Sequence, residues 1–315
     1  MRLLWVTIDR SNRVATIFDP LREEVSKIAD VDVIMKKLPL IAGQYQQAVL
    51  NGRIKDKPLI NHKKANDYDY IMLDAPFAFM NENWSRIQTK KAALFEDQHG
   101  SNPIYSKRLK GMGFTTFFTR YRNLIGRHPH LNNVRICWLP HSIDTKIYHD
   151  YNQKKKIPAL MIGRIHKGVY PLRNRIHNVL KRESKQFYRR IGRPDETFEI
   201  KKKWPIGKDY ARLINSANIA FTCASTYKYP VLKFFEIPGC KTALFSNHSK
   251  ELEKLGFIPD KNMVEIKMNF NVKFIMDWLN DKNKLEEITE KGFELIHTKH
   301  TAKKRAEEFL NYLEG

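Results

Sequence analysis

Residues 158–176 read PALMIGRIHKGVYPLRNRI. An apolar run ends at Gly163, and a basic loop with a second glycine follows (Arg164, His166, Lys167, Gly168). Pro171 then opens a segment that carries Arg173 and Arg175 in its first turns. Proline is favoured at the first helical position, so the stretch reads as strand, loop and helix, the repeating unit of a parallel sheet. A helix N-terminus offers unpaired N–H groups and the positive end of the helix dipole, and therefore accepts phosphate. Arginine adds a planar fork of donors that matches phosphate oxygens. The spacing fits neither Gly-x-x-x-x-Gly-Lys-Ser/Thr nor Gly-x-Gly-x-x-Gly, which argues against an ATP-hydrolysing loop and against a dinucleotide site. The competing reading is an ordinary basic connection between strand and helix.

Working outward, short apolar runs recur at helix-length intervals. Residues 2–8, 32–35, 69–74, 92–96, 115–119 and 134–139 are candidate strands before the stretch DYNQKKKIP (150–158), which reads as an interdomain linker. After it, 158–162, 197–199, 218–223, 242–245 and 263–266 are candidate strands. Candidate helices there fill 171–190, 207–216, 231–237, 249–255, 270–279, 282–297 and 301–314, the last with Thr301 as N-cap. The pattern predicts an α/β protein of two Rossmann-like, doubly wound domains, 1–150 and 151–315, facing each other across a cleft. The C-terminal helix is expected to pack back toward the first domain.

The 315 residues are 42% apolar and carry a net charge of +22, suiting a folded chain that attracts polyanions. Residues 1–150 hold 23 basic and 15 acidic side chains, which leaves +14 on the remainder. The excess peaks in KRESKQFYRRIGR (181–193) and Lys201–Lys203. A solvated basic face is the bland alternative. No apolar run approaches the roughly 20 residues of a membrane span, and the start MRLLWVTIDR has too short an apolar run for a signal peptide. Cys137, Cys223 and Cys240 are far apart, in apolar context and without a C-x-x-C, as in a cytoplasmic protein with reduced thiols.

In KYPVLKFFEIPGCKTALFSN (228–247) one carboxylate, Glu236, interrupts an apolar run. Burying it unpaired costs several kcal/mol, of the order of a domain's net stability. Glu236 is therefore either paired or holds a ligand, for which two hydroxyls of a ribose are suited. Lys233 lies three residues earlier on the same helical face, placed to pair with Glu236 or to reach a phosphate.

These segments carry a resemblance. IGRIHKGVYPLRNRI, YARLINSANIAFTCAS, VLKFFEIPGCKTALFSNHSKELEKLGF and HTKHTAKKRAEEFL resemble the C-terminal half of GT-B glycosyltransferases, nearest the spore-maturation CgeB type among group-1 relatives. LPHSIDTKIYH (139–149) resembles the pattern Pro-x-Gly-x-Asp-x-x-x-Phe that precedes that half. The resemblance covers most of 134–312 and implies a nucleotide-sugar donor, a UDP-sugar by preference, bound by the second domain. It implies that Glu236 holds the ribose and that Lys233, Arg164, Lys167 and Arg173 serve the diphosphate. Two departures stand out. Lys228 occupies the position, eight residues before Glu236, where many relatives carry a second glutamate, and Ser142 replaces the glycine of the pre-linker pattern.

Fixed Arg, Lys and N–H donors can neutralise a leaving nucleoside diphosphate, so no obligatory metal is expected. Asp30/Asp32 and Asp67/Asp69 open strands, the wrong end for a ligand, and read as turn residues. His128 and His130 flank a proline with no third ligand in reach and do not make a metal site. A first-domain strand ends in Glu96, Asp97 and His99. Here the chain resembles, more weakly, phage DNA β-glucosyltransferases, which implies Asp97 as catalytic base. His99 is the alternative, with a pKa suited to proton transfer near neutrality. A retaining enzyme needs no such base, and a loop carboxylate that caps the next helix is the structural alternative.

Together these features point to a metal-independent hexosyltransferase with a large or anionic acceptor. The first choice is a cell-surface or wall polymer made at the cytosolic membrane face; the alternative is hydroxylated bases in DNA. A rival of another class is a nucleic-acid-binding protein on a GT-B scaffold, without catalysis.

Overall fold

The computed structural model describes residues 1–9, 19–37, 60–79, 83–95, 104–122, 128, 131, 133–192 and 205–315. The chain forms two compact units, Met1–Pro140 with Arg305–Gly315, and His141–Lys304.

The first unit is built on a six-stranded sheet of β1 (Arg2–Ile8), β2 (Asp30–Lys36), β3 (Tyr70–Leu73), β4 (Lys90–Phe95), β5 (Thr116–Thr119) and β6 (Arg135–Trp138). The order is β2-β1-β3-β4-β5-β6, and every pairing is parallel. Side chains alternate across a strand, so one strand feeds two cores. Leu3 and Trp5 of β1 enter one core while Leu4, Val6 and Ile8 enter the other. Helices α1 (Asp19–Val25), α2 (His62–Ala65) and α3 (Ile104–Gly111) are short.

The last helix of the chain, α10 (Ala302–Glu314), completes this unit. Ala306, Phe309, Leu310 and Leu313 share its apolar face, at the i, i+3, i+4, i+7 spacing of an amphipathic helix, and join the core of Trp5 and Phe118. The expectation that this helix returns to the first half of the chain is met, and Thr301 caps it by accepting from the Lys304 N–H at 3.2 Å.

The second unit has a five-stranded parallel sheet: β7 (Ile157–Ile162), β8 (Tyr188–Ile191), β9 (Ala217–Phe221), β10 (Ala243–Ser246) and β11 (Val264–Glu265). Its order, β11-β10-β9-β7-β8, repeats that of the first sheet: the first strand lies between the second and the third. Strand order therefore reverses about β7, and doubly wound sheets bind ligands at such switch points, beyond the strands' carboxyl ends. Helices α4 (Pro171–Leu180), α5 (Gly207–Asn215), α6 (Lys233–Gly239), α7 (Lys250–Lys254), α8 (Val272–Asn280) and α9 (Lys282–Lys299) surround it.

The structure corrects the expected helix over 171–190, which stops at Leu180. After a turn in which Ser184 accepts from Phe187 and Tyr188 N–H groups, residues 188–191 form edge strand β8 instead. The charged run favours helix only weakly, and pairing with β7 together with burial of Tyr188 and Ile191 outweighs it. The weak strand expected at 197–199 lies outside the described residues. The stretch 150–156, expected as a linker, packs within the second unit: Lys155 Nζ donates to the carbonyls of Asn215 and Lys241 at 2.6 Å each. All three cysteines are free thiols and buried.

Candidate functional site

The switch point of the second sheet lies where β7 and β9 end. The chain leaves β7 at Gly163, whose φ of +106° is one that side-chain-bearing residues rarely adopt. A Cβ there would lie 2.9 Å from both Arg173 Nη1 and Lys233 Cε. Glycine thus lets two cations, one from α4 and one from the first turn of α6, close on the backbone at the strand end.

Arg173 is 3% exposed. Its Nη2 donates to Thr222 Oγ1 at 2.9 Å, just past the end of β9, and its Nη1 lies 3.5 Å from the Arg164 carbonyl oxygen. The guanidinium stacks on the Tyr170 ring at 4.1 Å. Among the described residues no carboxylate pairs with it, and its buried Nε has no hydrogen-bond partner. A buried cation without a counter-charge costs several kcal/mol, and such a site suits an anion. Helix α4 begins beside it with Pro171 in its first turn and no capping side chain.

The loop after β9 meets the loop after β7, since the Thr226 N–H donates to the Val169 carbonyl at 2.9 Å. Ser225 and Lys228 in that loop have φ of 58° and 61°, and Tyr227 stacks on Tyr229 at 5.3 Å. Lys228 is exposed, as are Arg164 and Lys167 on the loop after β7.

Glu236 follows Lys233 by three residues on α6 and is 4% exposed. Its partners are two tyrosines rather than Lys233, so the expected alternative of a surface pair is corrected. Tyr148 donates to Oε1 at 2.8 Å and Tyr210 to Oε2 at 3.2 Å. Burial, and then the Glu236 carboxylate, hold both tyrosine hydroxyls well above the ordinary value, so they remain donors. The same two causes raise the Cys240 thiol, which closes this helix.

Of the residues singled out in the sequence, Arg173 and Lys233 meet at Gly163, with Glu236 three residues along α6. Arg164 and Lys167 stand on the adjoining loop. Asp97 and His99 lie outside the described residues, as do His130, Arg193 and Lys201–Lys203. His128 is buried, and among the described residues no group of three or more His, Cys, Asp or Glu could hold a metal. Asp32 accepts from Arg2 Nη2 at 3.1 Å and from the Tyr68 hydroxyl at 2.7 Å, while Asp69 accepts the Arg2 N–H at 2.7 Å. These aspartates tie strand beginnings together. The basic run after α4 is an exposed margin of the second sheet, with Lys181, Arg182, Lys185, Arg189 and Arg190 open to solvent.

Sequence reading missed Thr222, Tyr148 and Tyr210. Tyr148 ends the segment that resembles Pro-x-Gly-x-Asp-x-x-x-Phe, at the position of its phenylalanine, and the added hydroxyl was the available signal. Thr222 and Tyr210 gave none, because only the folded sheet brings them near Arg173 and Glu236.

Residues 173–311 match the model of a family described as glycosyl transferase-like. No curated protein matches the sequence significantly. Among solved structures, HepE of Anabaena in complex with UDP and glucose is 10% identical with a TM-score of 0.67, and each chain is covered in full. HepE has also been solved with UDP-glucose. An α-glucosyltransferase in complex with UDP and a 13-mer DNA is 10% identical with a TM-score of 0.61, again over all of both chains. A glycosyltransferase of Rickettsia africae is 9% identical with a TM-score of 0.57, over 99% of this chain and 98% of that one. At these identities the likeness establishes the fold. The chain thus has the GT-B fold along its whole length, and its second unit carries the match to a glycosyl transferase-like family over 173–311.

Proposed function

We propose that the second unit binds a nucleoside-diphosphate sugar, UDP-hexose by preference, and that the enzyme moves the hexosyl group to a large or anionic acceptor without an obligatory metal. The observation that carries this reading is the buried Arg173, paired with no carboxylate among the described residues, meeting Lys233 at the end of β7. In this reading the diphosphate lies against Gly163, Arg173, Lys233 and the start of α4, with Arg164 and Lys167 on its open side. Glu236 accepts hydroxyls of the ribose. Side chains three apart on a helix are about 5–6 Å apart at Cβ, a span that suits a phosphate beside Lys233 and a ribose beside Glu236. The UDP and UDP-glucose in the HepE complexes support the choice of nucleotide.

In the transfer, an acceptor hydroxyl oxygen forms a bond to the anomeric carbon while the bond from that carbon to the diphosphate oxygen breaks. The electron pair stays on the leaving diphosphate, where Arg173 and Lys233 stabilise the developing charge. If configuration is inverted, Asp97, or His99 in its place, takes the hydroxyl proton. The first unit then supplies the acceptor side.

The charge of +22 and the exposed arginines and lysines of the β8 margin support a polyanionic acceptor. A surface or wall polymer handled at the cytosolic face of a membrane is the first choice; no helix among the described residues is long and apolar enough to cross one. DNA is the second choice, in keeping with the DNA in the α-glucosyltransferase complex.

Calorimetry without metal tests the donor reading, with UDP, GDP and their glucose, galactose and N-acetylglucosamine conjugates. Micromolar binding of one nucleotide series, weakened in both Glu236→Ala and Arg173→Ala, is the expected result. Absence of binding to every one of them overturns the donor site and leaves polyanion binding as the activity to pursue.

A further inference from the structure

The Tyr148 and Tyr210 hydroxyls each give their one proton to Glu236, and each carboxylate oxygen receives one of them. The two rings come from different places in the chain: Tyr148 from the segment before β7 and Tyr210 from α5, while Glu236 stands on α6. A carboxylate held at both oxygens cannot turn about its last torsion without breaking a buried hydrogen bond. Ionised, it has about four acceptor positions, so roughly two stay open once the tyrosines are bound. Those two lie one on each oxygen, which is the arrangement that a vicinal diol requires.

We infer that Tyr148 and Tyr210 are positioning residues that fix the Glu236 carboxylate to receive the 2′- and 3′-hydroxyls of a ribose, and so make the site selective for ribonucleotides over 2′-deoxyribonucleotides. This rests on the reading of Glu236 as the ribose ligand. The tyrosines do not touch the nucleotide in this account; they act through the carboxylate. Both hydroxyls remain donors across the neutral range, because burial and the adjacent carboxylate raise them well above the ordinary tyrosine value. The three-residue chain therefore keeps one hydrogen-bond direction, from tyrosine to glutamate. The phenylalanine of the resembling pattern has no hydroxyl, so the Tyr148 contact is a property of this chain rather than of the pattern.

The test compares UDP with 2′-deoxy-UDP by calorimetry on the full chain, for the wild type, Tyr148→Phe, Tyr210→Phe and the double variant. Phenylalanine keeps the ring and removes only the proton donor. The wild type is expected to prefer UDP about tenfold or more, the value of one good hydrogen bond to a charged group. The double variant is expected to lose most of that preference, while its affinity for 2′-deoxy-UDP changes by less than about threefold. A merely structural role would weaken both nucleotides together and leave the ratio in place. A wild-type preference that persists in the variants overturns the positioning role and leaves Glu236 as ribose ligand. Equal binding of the two nucleotides by the wild type overturns both. If the double variant does not fold, Tyr210→Phe alone decides the point, because its 3.2 Å bond is the longer of the two and its loss the milder.

Discussion

Arg173 donates to Thr222 across the switch point of the second sheet, from a helix that follows β7 to the residue that follows β9, at 2.9 Å. The guanidinium is buried, and among the described residues its Nε has no hydrogen-bond partner and no carboxylate pairs with it. Sites poised for a ligand often sit at the expense of stability. Arg173→Met is therefore expected to leave the ligand-free protein as stable as the wild type or more so. UDP should lose about 10–100-fold in affinity and cease to raise the melting temperature. Thermal melts with and without UDP check both statements. A variant that is less stable without ligand yet still stabilised by UDP would show Arg173 to be a structural residue.

Gly163→Ala tests the close approach itself. The positive φ strains any side-chain-bearing residue by about 1–3 kcal/mol. The new methyl would also meet Arg173 Nη1 and Lys233 Cε at 2.9 Å, and both must move. Urea denaturation should show a loss of about 1–3 kcal/mol, and UDP binding should weaken by more than that strain alone explains. Unchanged affinity would separate Gly163 from the donor site.

Lys155 gives the second unit a pH dependence of defined sign. Burial lowers its amine from 10.5 to about 8 in the folded chain. Below about pH 8 the amine is charged in both states, so its contribution does not change with pH. Between about 8 and 10.5 the unfolded chain holds more protons, and stability rises with pH. Lys155→Met is expected to remove this rise. The check is the difference in unfolding free energy between variant and wild type, measured at several pH values from 7 to 10.5.

Phe309 ties the end of the chain to its beginning. Its ring centroid lies 5.4 Å from that of Trp5 and 4.8 Å from that of Phe118, and it is fully buried. Phe309→Ala is expected to destabilise the first unit by about 3–5 kcal/mol. Trp5 beside it makes fluorescence a suitable probe of urea unfolding. A cost below about 1 kcal/mol would show that the first sheet's core closes without α10.

The period of the sequence was enough for the architecture. Apart from 197–199, which lies outside the described residues, each expected strand became a parallel strand, from Arg2–Ile8 to Val264–Glu265, and the inner ones are apolar nearly throughout because both of their faces are buried. Gly163, Pro171, Arg173 and Lys233 were also legible, since the need for glycine and for a helix start beside cations is local chemistry. The stretch 181–191 was not legible: its charges fit a helix, and only the β7 edge beside it makes residues 188–191 a strand. Strand order, and with it the switch point at β7, is likewise decided by pairing between residues far apart in sequence. The same holds for Glu236. Its sequence context posed the choice between a paired carboxylate and a ligand-holding one. The answer needed Tyr148, 88 residues before it, and Tyr210, 26 residues before it, brought within hydrogen-bond reach by the fold. Local propensity and patterning act over a few residues and are written in the sequence; the partners that satisfy a buried charge are set by tertiary packing alone.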